Sequence, residues 1–265
     1  MEVSVRRLAT DSLERNHIAV SEADSDSLYE HNLLFWTTRV NDETSAAERQ
    51  RILDGQTAED DDYTRATTQK LAALCREHGG TRRFSMLEIG AANGTAVKRL
   101  LNTDDNLSYD YVGLECLPFL VDDFHANFPQ HTMRVGDIDD FIAMDKDAFV
   151  HAPFSLFHAS SVFMMIKPAL ARQGLAKAAT LSDEFLIYDF IEEFDAPLPP
   201  STCLVLQMNN RAVFWFVHPW AAYLEEIGYE IVERQIAEIP PQRLAAMSLR
   251  TRQSLGVGFI HARRR

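Results

Sequence analysis

The stretch that decides the fold runs from Phe84 to Leu101 and reads FSMLEIGAANGTAVKRLL. It begins as an apolar strand that ends at Ile89, continues as a loop from Gly90 to Gly94, and becomes a helix near Thr95. Gly90 allows the tight turn out of the strand. Gly94 is expected to let the backbone approach a ligand at the start of the helix, where free N–H groups and the helix dipole favour a carboxylate or a phosphate. The stretch therefore predicts a ligand-binding strand, loop and helix.

Short apolar runs alternate with helical segments along the rest of the chain, which is typical of a parallel sheet covered by helices on both faces. The predicted fold class is α/β, with a doubly wound, mostly parallel seven-stranded sheet. The seven predicted strands are Phe84–Ile89, Tyr109–Glu115, Thr132–Val135, Phe154–His158, Glu184–Phe190, Tyr229–Gln235 and Gly256–His261.

Helical patterning precedes the first strand, from Ser21 to about Gly80. One helix is predicted from about Thr64 to Glu77, and Gly55 is the expected C-cap of the segment AAERQRILDG. We therefore predict an N-terminal helical extension over residues 1–80 and a ligand-binding α/β domain over residues 81–265. Three aromatic residues of the extension either form a lid over the site or only dock the helices; they are Tyr29, Phe35 and Trp36.

The composition excludes several classes of partner. The 265 residues include 39 acidic and 26 basic side chains, a formal net charge of −13. Since nucleic-acid affinity comes mainly from Lys and Arg that release counterions, neither a nucleic acid nor a membrane is an expected partner. The three cysteines, Cys75, Cys116 and Cys203, form no CxxC pair and are expected to be reduced thiols. Without a signal-peptide pattern or a run of about eighteen apolar residues, a cytoplasmic location is expected.

The loop after the first strand separates two classes of cofactor. A dinucleotide fingerprint has the pattern G-x-G-x-x-G, whereas this loop reads GAANG from Gly90. The segment instead resembles motif I of the class I, Rossmann-like S-adenosylmethionine (SAM)-dependent methyltransferases, E/D-x-G-x-G-x-G. Glu88, Gly90 and Gly94 are in place, and Ala92 stands at the middle glycine. The resemblance covers about residues 84–261 and implies that SAM is the cofactor.

Two later positions are similar to the same family. Glu115 ends the second predicted strand, where the resemblance implies that a carboxylate accepts both hydroxyl groups of the cofactor ribose. Asp137 and Ile138 follow the third strand, where the resemblance implies that an Asp contacts the adenine amino group and an apolar residue covers the ring. Each acid also has an ordinary interpretation: Glu88 as a strand-end carboxylate, Glu115 as a surface residue, and Asp137 as a helix N-cap.

The substrate is expected beyond the carboxyl ends of the fourth and fifth strands. A general base is needed only if the acceptor stays protonated until attack, and the candidates are His158, His218 and Asp189. His158 is also a predicted cofactor contact. Each histidine has the alternative of a half-buried ring bonded to a backbone carbonyl, and Asp189 that of a cap or structural acceptor. No metal-ligand cluster stands out. The predicted substrate contacts are Tyr188, Asn209, Asn210, Trp215 and Trp36.

These observations predict a SAM-dependent methyltransferase that acts on a small-molecule metabolite, in a biosynthetic context, and they leave a homodimer open. One alternative keeps the cofactor but transfers its aminocarboxypropyl chain, or closes that chain into a ring, and releases methylthioadenosine. The other alternative is a non-catalytic interaction module with a cofactor-type fold. Fold analogy alone does not choose between them.

Overall fold

The structure, a computed structural model, describes residues 17–38, 46, 49–50, 53, 62–79, 83–103, 107–193, 202–208, 211–238 and 255–265. The helices are α1 (Glu22–Thr38), α2 (Asp62–Gly79), α3 (Thr95–Thr103), α4 (Pro118–Asn127), α5 (Ile138–Ala143), α6 (Pro168–Ala179) and α7 (Trp220–Glu226). The strands are β1 (His17–Ala19), β2 (Phe84–Ile89), β3 (Tyr109–Glu115), β4 (Thr132–Val135), β5 (Leu156–Ser160), β6 (Glu184–Glu193), β7 (Thr202–Met208), β8 (Arg211–Val217), β9 (Tyr229–Glu238) and β10 (Leu255–Arg264).

The predicted seven-stranded sheet is confirmed, with the strand order β4-β3-β2-β5-β6-β10-β9. The first five strands of that order are parallel, and β10 runs antiparallel to both β6 and β9. The fourth predicted strand, placed at Phe154–His158, begins and ends two residues later in the structure, because Phe154 makes only an isolated bridge with Ser182.

Helices cover both faces of this sheet, as a doubly wound fold requires. Successive side chains of a strand point to opposite faces, and those of β2 accordingly enter two different cores. Leu87 and Ile89 pack with residues of α5, α6 and α7. Met86 packs with residues of α2, α3 and α4. The central strands are therefore buried on both sides, which explains why β2, β3 and β5 are nearly continuous apolar runs.

The N-terminal helix α2 packs directly on the main sheet. α2 spans Asp62–Gly79, close to the predicted Thr64–Glu77, and its Leu71 and Leu74 share a core with β2 and β10. The segment with the predicted C-cap Gly55 lies outside the described residues, and the domain boundary at residue 80 stays a prediction. None of the helices described in the structure is long and apolar enough to cross a membrane.

A second sheet, which the sequence analysis did not predict, contains three antiparallel strands in the order β1-β7-β8. β7 and β8 pair from Thr202 with Val217 to Met208 with Arg211. Phe214 and Phe216 are buried on strand β8, and Trp220 is buried on the helix that follows.

α1 closes the outer edge of β8 with side-chain hydrogen bonds. The Asn32 amide donates to the carbonyl of Phe214 at 2.6 Å and to that of Met165 at 3.2 Å. The Phe214 N–H donates to Asn32 Oδ1 at 3.0 Å. The ring of His31 lies 2.8 Å from the carbonyl of Ala212. Because edge strands present unpaired backbone groups, these contacts fix α1 against the small sheet.

Candidate functional site

A cavity of about 540 Å³ opens at the carboxyl ends of the parallel strands β2, β3, β5 and β6. Ligands of open α/β sheets bind at this edge, where the strand order reverses. Many of the residues predicted for the site line this cavity; they are Trp36, Glu88, Gly90, Ala92, Glu115, Asp137, Ile138, His158, Tyr188 and Trp215.

The loop between β2 and α3 requires glycine at two positions, because neighbouring side chains leave no room for a Cβ there. Gly90 has a φ of +64°, and a Cβ there would lie 2.5 Å from Val162 Cγ2. Gly94 has a φ of +78°, and a Cβ there would lie 2.4 Å from Phe124 Cδ2. Gly94 does not line the cavity. The ring of Phe124 on α4 therefore occupies the space next to the Gly94 Cα. A ligand was expected to approach the backbone there, and this side chain does so instead.

Glu115 holds the loop while facing the cavity. Its Oε2 accepts the N–H of Ala92 at 2.9 Å, and its Oε1 accepts the N–H of Leu117 at 3.0 Å. Burial raises the pKa of Glu115, while these backbone hydrogen bonds act in the opposite direction. The Cys116 thiol also donates to Oε1 at 3.4 Å, so one of the roughly four acceptor positions of the carboxylate remains for a hydroxyl group on the cavity side. Glu115 is thus buried rather than the surface residue of the ordinary interpretation.

Asp137 is the helix N-cap considered for it in the sequence, and it also lies at the cavity wall. It is the N-cap of α5, and its Oδ1 accepts the N–H of Asp140 at 3.0 Å. The side chain of Asp140 accepts the N–H of Asp137 in return, which completes a capping box. Asp137 and the following Ile138 also line the cavity. The cap fixes the orientation of Asp137 at the cavity wall and leaves its second carboxylate oxygen available.

Glu88 and His158 are adjacent in register on β2 and β5 and form a buried polar pair. The Tyr111 hydroxyl donates to Glu88 Oε2 at 2.6 Å, and His158 Nε2 lies 3.6 Å from Glu88 Oε1. His158 Nδ1 lies 2.8 Å from the Leu186 carbonyl, which only accepts, so Nδ1 carries the proton. Nε2 of the neutral ring is therefore an acceptor that faces Glu88.

Burial sets the protonation of this pair. It raises the pKa of Glu88 to about 8, against the opposing effects of the Tyr111 hydrogen bond and the Arg99 charge. It lowers the pKa of His158 to about 4. Both groups thus favour their neutral forms near pH 7, because burial disfavours the charged form of each.

Four further candidates do not line the cavity or lie outside the described residues. His218 is buried with its Nε2 2.8 Å from the Phe163 carbonyl, and its ring packs against Trp220, as in the alternative considered for it. Asp189 is buried on β6 and is absent from the cavity wall. Asn209 and Asn210 lie outside the described residues. Of the proposed bases, the structure brings only His158 to the cavity.

Several residues that the sequence analysis did not single out also line the cavity. Arg99 lies one turn beyond Thr95 on α3, and Asn32 lies between two aromatic positions of α1. The 29, 32, 33, 36 spacing on α1 marks one helix face and could have been read from the sequence. Nothing in the sequence connects α2 with the site, although Thr67 and Thr68 line it. The part of the chain that the structure describes contains no cluster of metal-binding side chains.

The chain has the fold of the class I SAM-dependent methyltransferases. It is similar to magnesium protoporphyrin IX methyltransferase from Synechocystis PCC 6803 with bound SAM, at 11% identity and a TM-score of 0.52, covering 91% of this chain and 98% of that chain. The same enzyme with bound S-adenosylhomocysteine gives 10% identity, a TM-score of 0.53, and coverage of 89% and 99%. No protein-family model and no curated protein sequence matches the chain.

Proposed function

We propose that this protein binds SAM in the cavity and transfers its methyl group to a small molecule. The observation that carries the proposal is the Glu115 carboxylate, which is buried at the cavity wall and accepts the N–H of Ala92 in the loop that follows β2 and the N–H of Leu117 before α4. Such a carboxylate, at the end of the strand next to the glycine-containing loop, suits recognition of a ribose. The fold supports the same cofactor, because the similar structures contain bound SAM or S-adenosylhomocysteine.

The chemistry of the remaining donor set fits the other parts of SAM. Asp137 and Ile138 would take the adenine, because a carboxylate oxygen and an apolar side chain stand together at the end of the next strand. Glu88 and His158 Nε2 are two buried acceptors that would take the ammonium group. A cation there favours the ionised form of Glu88 and so offsets the burial that raises its pKa.

SAM supplies an electrophilic methyl group on a sulfonium sulfur. The acceptor displaces S-adenosylhomocysteine and releases a proton to solvent. Alignment of two bound reactants contributes roughly 7–11 kcal/mol to such a step. Positioning is therefore the main task of the cavity, and a general base is required only for an acceptor that is still protonated. His158 would fill that role only for an acceptor that reaches Nε2 in place of the ammonium group, since Nε2 is the single acceptor nitrogen of the neutral ring.

The first experiment is a calorimetric titration with SAM, S-adenosylhomocysteine, methylthioadenosine and NAD. We expect the first two to bind, and Glu115→Gln to weaken their binding by about tenfold or more, the value of a lost hydrogen bond to a charged group. Glu230→Gln on β9 is the matched control, because Glu230 is exposed and lies outside the cavity. Binding of none of the four compounds would refute the enzyme hypothesis and favour the interaction module.

The product of turnover separates methyl transfer from the other reactions of SAM. Incubation with SAM and candidate acceptors should release S-adenosylhomocysteine, detected by mass spectrometry. Release of methylthioadenosine instead would contradict methyl transfer and establish aminocarboxypropyl transfer or ring closure.

A cytoplasmic location and a biosynthetic role are part of the same proposal. The protein could also act as a homodimer, which light scattering would test.

A further inference from the structure

The Tyr111 hydroxyl reaches Glu88 from behind the cavity wall. Glu88 lines the cavity, whereas Tyr111 is buried in the core with residues of α2, α3 and α4 and is not part of the lining. The hydroxyl donates to Glu88 Oε2 at 2.6 Å, and the other oxygen, Oε1, lies 3.6 Å from His158 Nε2. A hydrogen bond to the ionised form of an acid favours that form and fixes the direction of the carboxylate. Tyr111 therefore acts on the cavity through Glu88.

Gly113 makes the room for this contact. Strands β2 and β3 pair in parallel, with Glu88 opposite Gly113. Tyr111 precedes Gly113 by two residues and so lies on the same face of the sheet. A Cβ on Gly113 would lie 2.9 Å from the Tyr111 hydroxyl oxygen and 3.0 Å from Tyr111 Cε1. Since the φ of Gly113 is not in the left-handed region, the close approach of Tyr111 is the reason for a residue without a side chain here.

The titratable groups around the Glu88 carboxylate come from three elements. The described ones are Tyr109, Tyr111 and Glu115 on β3, His158 on β5 and Arg99 on α3. Burial has the largest effect and raises the pKa of Glu88 to about 8, while Tyr111 and Arg99 lower it and Glu115 raises it. His158 adds no charge, because burial lowers its pKa, and burial raises the pKa of both tyrosines. At pH 7 the carboxyl of Glu88 therefore holds a proton that its surroundings allow it to lose.

We propose that Tyr111 is a positioning residue of the ammonium subsite, and that binding of the cofactor expels one proton from Glu88 to solvent. The inference rests on the proposed function, because the ammonium group of SAM is the ligand. An ammonium group only donates, so it needs acceptors, and a carboxylate offers more of them than a protonated carboxyl. Ionised Glu88 keeps Oε2 on the Tyr111 hydroxyl and leaves Oε1 for the ligand, beside the acceptor nitrogen of His158.

A calorimetric titration with S-adenosylhomocysteine, which has the same ammonium group as SAM, tests the proton release. Titrations in two buffers of different ionisation enthalpy count the protons released for each molecule bound. We expect close to one proton at pH 7, and an affinity that rises about tenfold between pH 6 and pH 7 and levels off above pH 8. Binding without proton release, at an affinity that does not change over this range, would overturn the proposal.

Three variants of strand β3 test the role of the hydroxyl. Tyr111→Phe should weaken binding at pH 7 about tenfold or more, the value of a hydrogen bond to a charged group, and should move the levelling-off to higher pH. Gly113→Ala should act in the same direction, because its Cβ takes the space of the hydroxyl. Tyr109→Phe is the matched control, since the Tyr109 hydroxyl is buried on the same strand but lies 3.5 Å from the Val97 carbonyl.

The pH profile separates a positioning role from a structural one. Circular dichroism first establishes that the variants fold, so that a loss of structure is not counted as a loss of binding. Weaker binding by Tyr111→Phe with the pH profile of Tyr109→Phe would refute the positioning role.

The same titrations separate this inference from the proposed function. A wild-type protein that does not bind S-adenosylhomocysteine would contradict both. Binding that releases no proton, or whose pH profile is the same in the wild type and in Tyr111→Phe, would overturn this inference alone and leave the cofactor assignment intact.

Discussion

The contact between α1 and the small sheet depends on one side chain, and Asn32→Leu should break it. The substitution removes three hydrogen bonds and leaves the N–H and carbonyl of Phe214 without their partner at the edge of β8. At about 0.5–1.5 kcal/mol net for each bond, the free energy of unfolding should fall by about 2–4 kcal/mol. For a chain of this size the melting temperature falls by roughly 2–4 °C per kcal/mol.

Urea denaturation followed by circular dichroism measures this change. Asn127→Leu is the control, because Asn127 makes one exposed hydrogen bond to the carbonyl of Asp123 and should cost less than about 0.5 kcal/mol. Asn32→Asp should be at least as harmful as Asn32→Leu, since it keeps one acceptor but places a buried charge opposite two carbonyls. Equal stability of the Asn32→Leu and Asn127→Leu variants would show that α1 is not held in this way.

Two further predictions concern stability. Gly94→Ala should lower the free energy of unfolding by about 2–4 kcal/mol, because it adds a clash with Phe124 to a left-handed backbone conformation. Gly228→Ala is the control: its φ is +81° but the space around it is open, so the substitution should cost only about 1 kcal/mol. Similar urea midpoints for the two variants would contradict this prediction. Burial acts to raise the pKa of Glu184, but the hydrogen bond from His261 and nearby positive charges outweigh it and lower the pKa from 4.5 to about 2. The contribution of ionised Glu184 to the free energy of unfolding is therefore present above pH 4.5 and is lost as the pH falls toward 2. Over that range, the urea midpoint should fall more steeply for the wild type than for Glu184→Gln.

The central strands of the main sheet could be predicted from the sequence because they are buried on both faces. Such strands are short apolar runs bounded by turns, and β2 and β3 begin and end at the predicted residues, as does the more exposed edge strand β4. The small sheet was missed because β8 reads as an apolar, aromatic run that also suits a pocket wall. Two residues separate the paired Met208 and Arg211, and an Asn-Asn pair between two apolar runs is a hairpin signal that could have found it.

The candidate site could be predicted only where one local motif carries it. The loop after β2 and the acids at the ends of the next strands follow from spacing along the chain. The pairing of Glu88 with His158 depends on the register of β2 with β5, which are far apart in sequence. Arg99 and the threonines of α2 reach the cavity through helix packing, for which the sequence has no local signal. Long-range contacts therefore account for most of what was missed.

Ala92 shows that the loop and the acid of β3 depend on each other. Its φ of +50° is left-handed, which costs a residue other than glycine roughly 1–2 kcal/mol. Its N–H donates to Glu115 Oε2, and a hydrogen bond to a charged group contributes about 1.5–3 kcal/mol, enough to offset that cost. The turn thus forms without the middle glycine of the motif as long as Glu115 accepts this bond. Since the amide oxygen of a glutamine still accepts the Ala92 N–H, Glu115→Gln tests the charge at the cavity with less disturbance of the loop than Glu115→Ala.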